Sequence, residues 1–244
     1  MLVKSQVKYI QSLSQKKLRD EEGLFVGEGP KIINELLSAG NVHLQQLYAL
    51  PEWISQQPAT IAERCMAVDP DELGRLSFQQ HPNQVLGVFR KPEFAPERDW
   101  GKGLHVVLDT LQDPGNMGTI LRCADWFGIN AMVCSPDSAD IFNPKVVQAS
   151  MGGISRVEVI YTDLPAFLRA HSGIPVLAAT LDGTPLPAMT GGAKGFLLIG
   201  NESRGISDEL LALATHRVTI PRKGQAESLN AAVATGILLS HLTV

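Results

Sequence analysis

From residue 105 onward the chain carries six short, unbroken apolar runs: His105 to Asp109, Ala131 to Cys134, Val157 to Tyr161, Pro175 to Thr180, Phe196 to Ile199 and Val218 to Ile220. A strand wet on one face alternates apolar with polar residues, whereas a strand covered on both faces does not. Runs of this kind therefore predict a parallel sheet sandwiched between helices. Helical patterns fill most of the gaps, over 118–127, 144–151, 164–171, 207–214 and 228–241. The expected fold class is α/β, with a C-terminal, Rossmann-like parallel-sheet domain.

Upstream of these runs the pattern is of a smaller α/β unit. Val7, Ile10, Leu13 and, less regularly, Leu18 predict one helix over 5–19, with Ser5 as a candidate cap. Strands are expected at Leu24 to Glu28, Val42 to Leu50, Cys65 to Val68 and Gln84 to Phe89, and helices at Pro30 to Ala39 and Asp69 to Leu76. The following RKPEFAPERDWGKG, Arg90 to Gly103, is rich in proline, glycine and mixed charge, as linkers are. The domains expected are 1–95 and 104–244, joined by a linker over 96–103.

Composition excludes several classes. With 44% hydrophobic and 19% charged residues the 244-residue chain is that of a folded protein. A net charge of -4 and a pI near 5.9 give no global nucleic-acid signature. The first twenty residues are locally basic, with Lys4, Lys8, Lys16, Lys17 and Arg19 against Asp20, which fits a solvated helix face as well as an RNA contact. Cys65, Cys123 and Cys134 lack metal or redox spacing and read as buried free thiols of a cytoplasmic protein. The six histidines are scattered singly, so no metal is expected. The longest mostly apolar run, Ala231 to Leu239, is about half of what a bilayer span needs, so no membrane is expected either.

In parallel α/β sheets ligands sit beyond the carboxyl ends of the strands, and three polar clusters fall there. DPGNMGTILR, 113–122, follows the first run, and GNESRG, 200–205, follows FLLI directly. The third is RVTIPRKGQAESLNAAVA, 217–234, where Pro221 ends ladder pairing and a polar loop leads to Ser228 at the mouth of a small-residue helix. Such a helix start offers unpaired N–H groups to a polar or anionic ligand. Each cluster also has a plainer explanation. DPGN is a good turn and cap, the glycines permit tight bends, and Ser228 suits an N-cap. No phosphate-loop or spaced G-x-G-x-x-G pattern follows any strand, which disfavours an ATP- or NAD-dependent enzyme.

Taken together, DPGNMGTILRCADWFG, IGNESRGIS and IPRKGQAESLNAAVA resemble, in order and spacing, the three motifs of the SpoU/TrmH family of RNA ribose 2'-O-methyltransferases, over roughly residues 104 to 243. The stretch from YIQSLSQKKLRDEEGLFVGEGPKII onward resembles the ribosomal-protein-like α/β sandwich with which many of these enzymes bind substrate. The resemblance implies S-adenosylmethionine as cofactor, a deep trefoil knot after Phe196, and a homodimer formed through the C-terminal domain. It also implies an RNA substrate, with ribosomal RNA favoured over transfer RNA. Carried over by position, Asn116, Arg122, Glu202, Ser228 and Asn230 are the expected catalytic residues. Thr180, Gly200, Asn201, Ile220 and Leu229 are the expected cofactor contacts. Arg222 stands where many members have Met, and Ala231-Ala232 where Val-Ser is common. Leu229, Val233 and Ile237 form an apolar stripe at i, i+4, i+8, which either core packing or a dimer explains. A non-catalytic RNA-binding homologue and a transfer-RNA enzyme are the alternatives.

Overall fold

The computed structural model describes residues 2–95 and 98–244; Pro96 and Glu97, within the expected linker, lie outside the described residues. The chain divides into two compact units, Met1–Phe94 with Phe142–Ser155, and Ala95–Ile141 with Arg156–Val244.

The first unit runs α1 (Lys4–Ser12), α2 (Lys16–Glu22), β1 (Leu24–Glu28), α3 (Pro30–Ser38), β2 (Leu44–Ala49), the single turns α4 (Pro51–Ile54) and α5 (Ala59–Ala62), β3 (Cys65–Ala67), α6 (Pro70–Leu76) and β4 (Val85–Arg90). Its four strands are ordered β1-β4-β2-β3, with β4 antiparallel to β1 and β2, and β3 parallel to β2. Asp69 caps α6 in a capping box, accepting from the Glu72 N–H at 2.8 Å while Glu72 Oε2 takes the Asp69 N–H at 3.2 Å. Gly27 and Gly87 face each other in register. A Cβ on Gly87 would stand 2.9 Å from Ile33 Cδ1, so the missing side chains let α3 lie close on the sheet.

The single helix expected over 5–19 is two helices. Arg19 is buried, and its guanidinium donates to the Leu13 and Ser14 carbonyls, both at 2.7 Å, satisfying groups that a helix end leaves open. Arg19 therefore does not belong to the solvated basic face. Val3, not Ser5, is the N-cap of α1.

The chain continues with β5 (Leu104–Leu108), α7 (Pro114–Trp126), β6 (Ala131–Cys134), α8 (Pro144–Ser150), β7 (Glu158–Tyr161), α9 (Leu164–Ala170), β8 (Val176–Pro185), β9 (Gly195–Ile199), α10 (Asp208–Leu211), β10 (His216–Thr219) and α11 (Ala231–Leu242). All six apolar runs are strands of one sheet, ordered β10-β8-β9-β5-β6-β7 and parallel at every pairing. The order turns around between β5 and β9, where an open parallel sheet offers a crevice. The segment carrying α8 groups with the first unit. Phe142 lies against Phe25 at 5.3 Å between ring centroids, and Gln148 accepts from Gln79 at 2.9 Å.

At the amino ends of the strands, Trp100, His105, Phe167 and Phe196 form an aromatic cluster, with Trp100 4.9 Å from His105 and 5.1 Å from Phe167, and Phe167 5.3 Å from Phe196. Rings at these separations and steep angles gain edge-to-face attraction beyond burial alone. Burial raises the pKa of all three cysteine thiols, with Arg122 opposing at Cys123, so none is an activated thiolate.

Candidate functional site

The loop after β9 is built around one glycine. A Cβ on Gly200 would meet the Gly205 carbonyl carbon at 2.2 Å and the Ile206 nitrogen at 2.3 Å, backbone that cannot yield, so residue 200 must be glycine. Asn201 and Gly205 exchange both backbone hydrogen bonds at 2.9 Å, and Gly205 takes φ +71° to close the turn. Inside it the Asn201 Oδ1 accepts from the Ser203 and Arg204 N–H groups at 2.9 and 3.1 Å, and its Nδ2 donates to the Thr110 carbonyl at 2.8 Å. Glu202 is held at the exposed tip.

Two helix starts converge on Glu202. Asp113 caps α7 by accepting from the Asn116 N–H at 2.7 Å, with Pro114 at the first helical position. The Asn116 side chain then donates to Glu202 Oε1 at 2.9 Å and accepts from Asn230 Nδ2 at 2.8 Å. Asn230 is the N-cap of α11, its Oδ1 accepting from Ala232 N–H at 2.9 Å and Val233 N–H at 3.2 Å. That double role fixes which way its amide points. The cap expected at Ser228 is thus two residues further on; Ser228 lies in the exposed loop before the helix.

Beside this cluster opens a cavity of about 830 Å³, lined by Thr180, Gly200, Asn201, Glu202, Ile220, Ser228 and Leu229 with apolar walls from Ile199, Ile206 and Leu238. That size suits a small-molecule cofactor. Its outer wall comes from an irregularity of β8: β10 pairs with Leu177 and Ala178, then with Thr184 and Pro185, leaving the residues between looped out. Thr180 Oγ1 is buried there with no hydrogen-bond partner among the described residues. A buried hydroxyl left so invites a partner of its own.

Of the expected site residues, Asn116, Glu202 and Asn230 are joined by hydrogen bonds, and the five expected cofactor contacts line one cavity with Ser228 and Glu202. Arg122 is exposed further along α7, outside the cavity lining, and its side chain makes no hydrogen bond or ion pair among the described residues. The stripe of Leu229, Val233 and Ile237 is not core: these side chains are 48%, 51% and 39% exposed. With Thr119, Cys123 and Gly236, Val233 and Ile237 line a shallow recess of about 440 Å³, and Trp126 at the end of α7 is 82% exposed. Residues not expected at the site are Asp109, Thr110, Ser135 and Ser138, a hydrogen-bonded group under the 200–205 loop. A polar residue closing the run HVVLD was the available signal for the first of them. Among the described residues no group of three or more His, Cys, Asp or Glu could hold a metal ion, and no helix is long and apolar enough to cross a membrane.

Comparison with known proteins bears on the same parts of the chain. Residues 103–240 match the SpoU rRNA Methylase family, and residues 4–87 match the MRM3-like substrate binding domain. A Porphyromonas gingivalis structure of the TrmH family is 38% identical with a TM-score of 0.84, covering 100% of this chain and 98% of that one. An rRNA methyltransferase from Sinorhizobium meliloti, solved with AdoMet bound, is 30% identical with a TM-score of 0.86, covering 99% and 95%. The 23S rRNA (guanosine(2553)-2'-O)-methyltransferase RlmP of Bacillus subtilis (strain 168) is 30% identical over 240 residues, 97% of this chain and 95% of its own.

Proposed function

The chain belongs to the SpoU rRNA Methylase family, and on that premise we propose that it transfers a methyl group from S-adenosylmethionine to a ribose 2'-hydroxyl of ribosomal RNA. The observation that carries the proposal is the hydrogen-bonded Asn116, Glu202 and Asn230 beside a cofactor-sized cavity at the carboxyl end of a parallel sheet. The AdoMet-bound Sinorhizobium meliloti relative and the ribosomal RNA named for the Bacillus subtilis relative support the choice of cofactor and substrate.

The cavity fits the cofactor on its own chemistry. Thr180 offers a hydroxyl with no partner among the described residues, Gly200 and Ile220 bring backbone polar groups to the wall, and Leu229 with Ile206 covers apolar surface. When bound, the cofactor supplies an electrophilic methyl on a sulfonium sulfur. The protein's tasks are then to align the attacking hydroxyl and to accommodate the proton it loses. Glu202, held by Asn116 through one oxygen, and Asn116, held by Asn230, form a rigid polar rim for that alignment. A guanidinium carries five donors and no acceptor, so we assign Arg122 to a phosphate and the developing alkoxide rather than to proton removal. An unchanged pH-rate profile and turnover in Arg122→Lys would overturn both roles of Arg122.

The exposed Val233, Ile237 and Trp126 support a homodimer through this face, and membership of the family supports a trefoil knot taking part in it. A monomer in light scattering at micromolar concentration would refute the dimer. A ribosomal substrate supports a cytoplasmic location for the enzyme, which the Bacillus subtilis relative's 23S rRNA substrate favours. Calorimetric titration with S-adenosylmethionine, with NAD as control, tests the cofactor: one site per chain is expected. Mapping of ribose methylation in ribosomal and transfer RNA tests the substrate. Cofactor binding without transfer to either RNA would favour a non-catalytic RNA binder.

A further inference from the structure

Under the loop that displays Glu202 lies a set of polar groups for which the transfer chemistry has no direct use. Asp109, buried at the end of β5, accepts from Thr110 Oγ1 at 3.0 Å through one oxygen and from the Ser207 N–H at 2.8 Å through the other. Thr110 has φ +55°, a left-handed conformation that a β-branched residue adopts only under constraint. The constraints are visible: its N–H donates to Ser135 Oγ at 2.8 Å, Ser135 shares a 3.0 Å hydrogen bond with Ser138, and its hydroxyl is tied to Asp109.

In that conformation the Thr110 carbonyl accepts from Asn201 Nδ2 at 2.8 Å. The same amide's oxygen holds the Ser203 and Arg204 N–H groups, so its orientation sets the turn on which Glu202 sits. Backbone strain kept in place by surrounding groups is common where a site must be preorganised. None of Asp109, Thr110 and Ser135 lines the cavity, so cofactor contact does not explain them.

We propose that Asp109, Thr110 and Ser135 are positioning residues for methyl transfer: they hold Thr110 left-handed, aim its carbonyl at Asn201, and through Asn201 set Glu202 against Asn116. The proposal rests on reading the 200–205 loop as part of the transfer site. It adds a dependence of that loop on groups beyond the cavity.

The test uses the full-length protein and the variants Thr110→Val, Thr110→Asn and Ser135→Ala. Valine lacks the hydroxyl and resists the left-handed conformation, whereas asparagine tolerates it. Amide exchange at Ser203 and Arg204, measured without ligand, is expected to quicken by about tenfold in Thr110→Val and Ser135→Ala, the effect of losing one local constraint of this size. Turnover with total ribosomal RNA from cells lacking the enzyme should fall alongside it, and by more than the affinity for S-adenosylhomocysteine does, with KM for the RNA unchanged. Thr110→Asn should restore both exchange and turnover, because asparagine tolerates the left-handed conformation; a loss of turnover at unchanged KM is the readout that a general loss of stability does not produce. Wild-type exchange at those two amides in both damaging variants would overturn the proposal. So would faster exchange spread evenly over β5, β6 and β9 without rescue by asparagine. Absence of transfer by the wild-type protein would refute the functional reading, while the exchange comparison would still decide the relay. Ser135→Ala keeps the test open should Thr110→Val fail to fold.

Discussion

The two ends of the parallel sheet are made from the same strands and put to opposite uses. At the amino end, β5 and β9 contribute His105 and Phe196 to a packed aromatic cluster with Trp100 and Phe167. At the carboxyl end the same two strands run into Asp109, a strained Thr110 and the Gly200 turn, with polar side chains bonded beside a cavity. The difference teaches where a fold of this kind gains stability and where it gives some up. Left-handed backbone and exposed carboxamides are tolerated at one end because dense ring packing at the other offsets their cost.

If that division holds, damage at one end should leave the other end's property intact. The largest effect is expected from Phe196→Ala. Truncating a fully buried phenylalanine should cost about 3–5 kcal/mol in chemical denaturation. Cofactor affinity, measured by calorimetry at a temperature where the variant stays folded, should be unchanged, and a large loss of affinity would break the comparison.

Next comes a pair of substitutions at the opposite end. Asn230→Ala removes the cap of α11 together with the donor to Asn116, and should cost about 0.5–2 kcal/mol as well as turnover. Asn230→Asp keeps the cap's acceptor but removes the donor. Its stability should stay near wild type in thermal melts while methyl transfer still falls, and a variant of full activity would mean that the Asn116 contact does not matter.

The smallest effect sharpens the comparison through pH. Burial first, and the nearby Arg98 charge second, hold the His105 imidazole below its usual 6.5. The unfolded chain therefore binds a proton that the folded chain refuses, and His105's share of stability is complete above about 6.5 and lost as pH falls through the lowered value. Melting temperature should drop on acidification, and less so in His105→Phe. Equal drops in both proteins would assign the pH dependence elsewhere.

How much of this was legible in the sequence depended on whether local pattern or distant contact decided the outcome. The six strands were readable because each run is apolar without interruption, which only burial on both faces explains. Asn116, Glu202 and Asn230 were readable as polar residues at strand ends, and the resemblance grouped them. The α11 cap was not, since Ser228 and Asn230 are both good cap residues and the choice goes with a hydrogen bond to Asn116 on another helix. Likewise, Arg19 counts as a surface charge in any local reading until two carbonyls of the preceding turn claim it. Thr110 gave no signal at all, because nothing about threonine announces a positive φ.

The grouping of Phe142–Ser155 with the first unit bears on how the molecule is made. A ribosome delivers the chain amino end first, at roughly 5–20 residues per second. β1 to β4 thus emerge well before Phe142, the ring that lies on Phe25, and before α8. The first unit to leave the ribosome must wait with part of β1 uncovered until β5, α7 and β6 have followed. Its completion is timed by the synthesis of its neighbour, and a nascent chain arrested just after Arg90 should expose apolar surface that one arrested well beyond Ser155 does not.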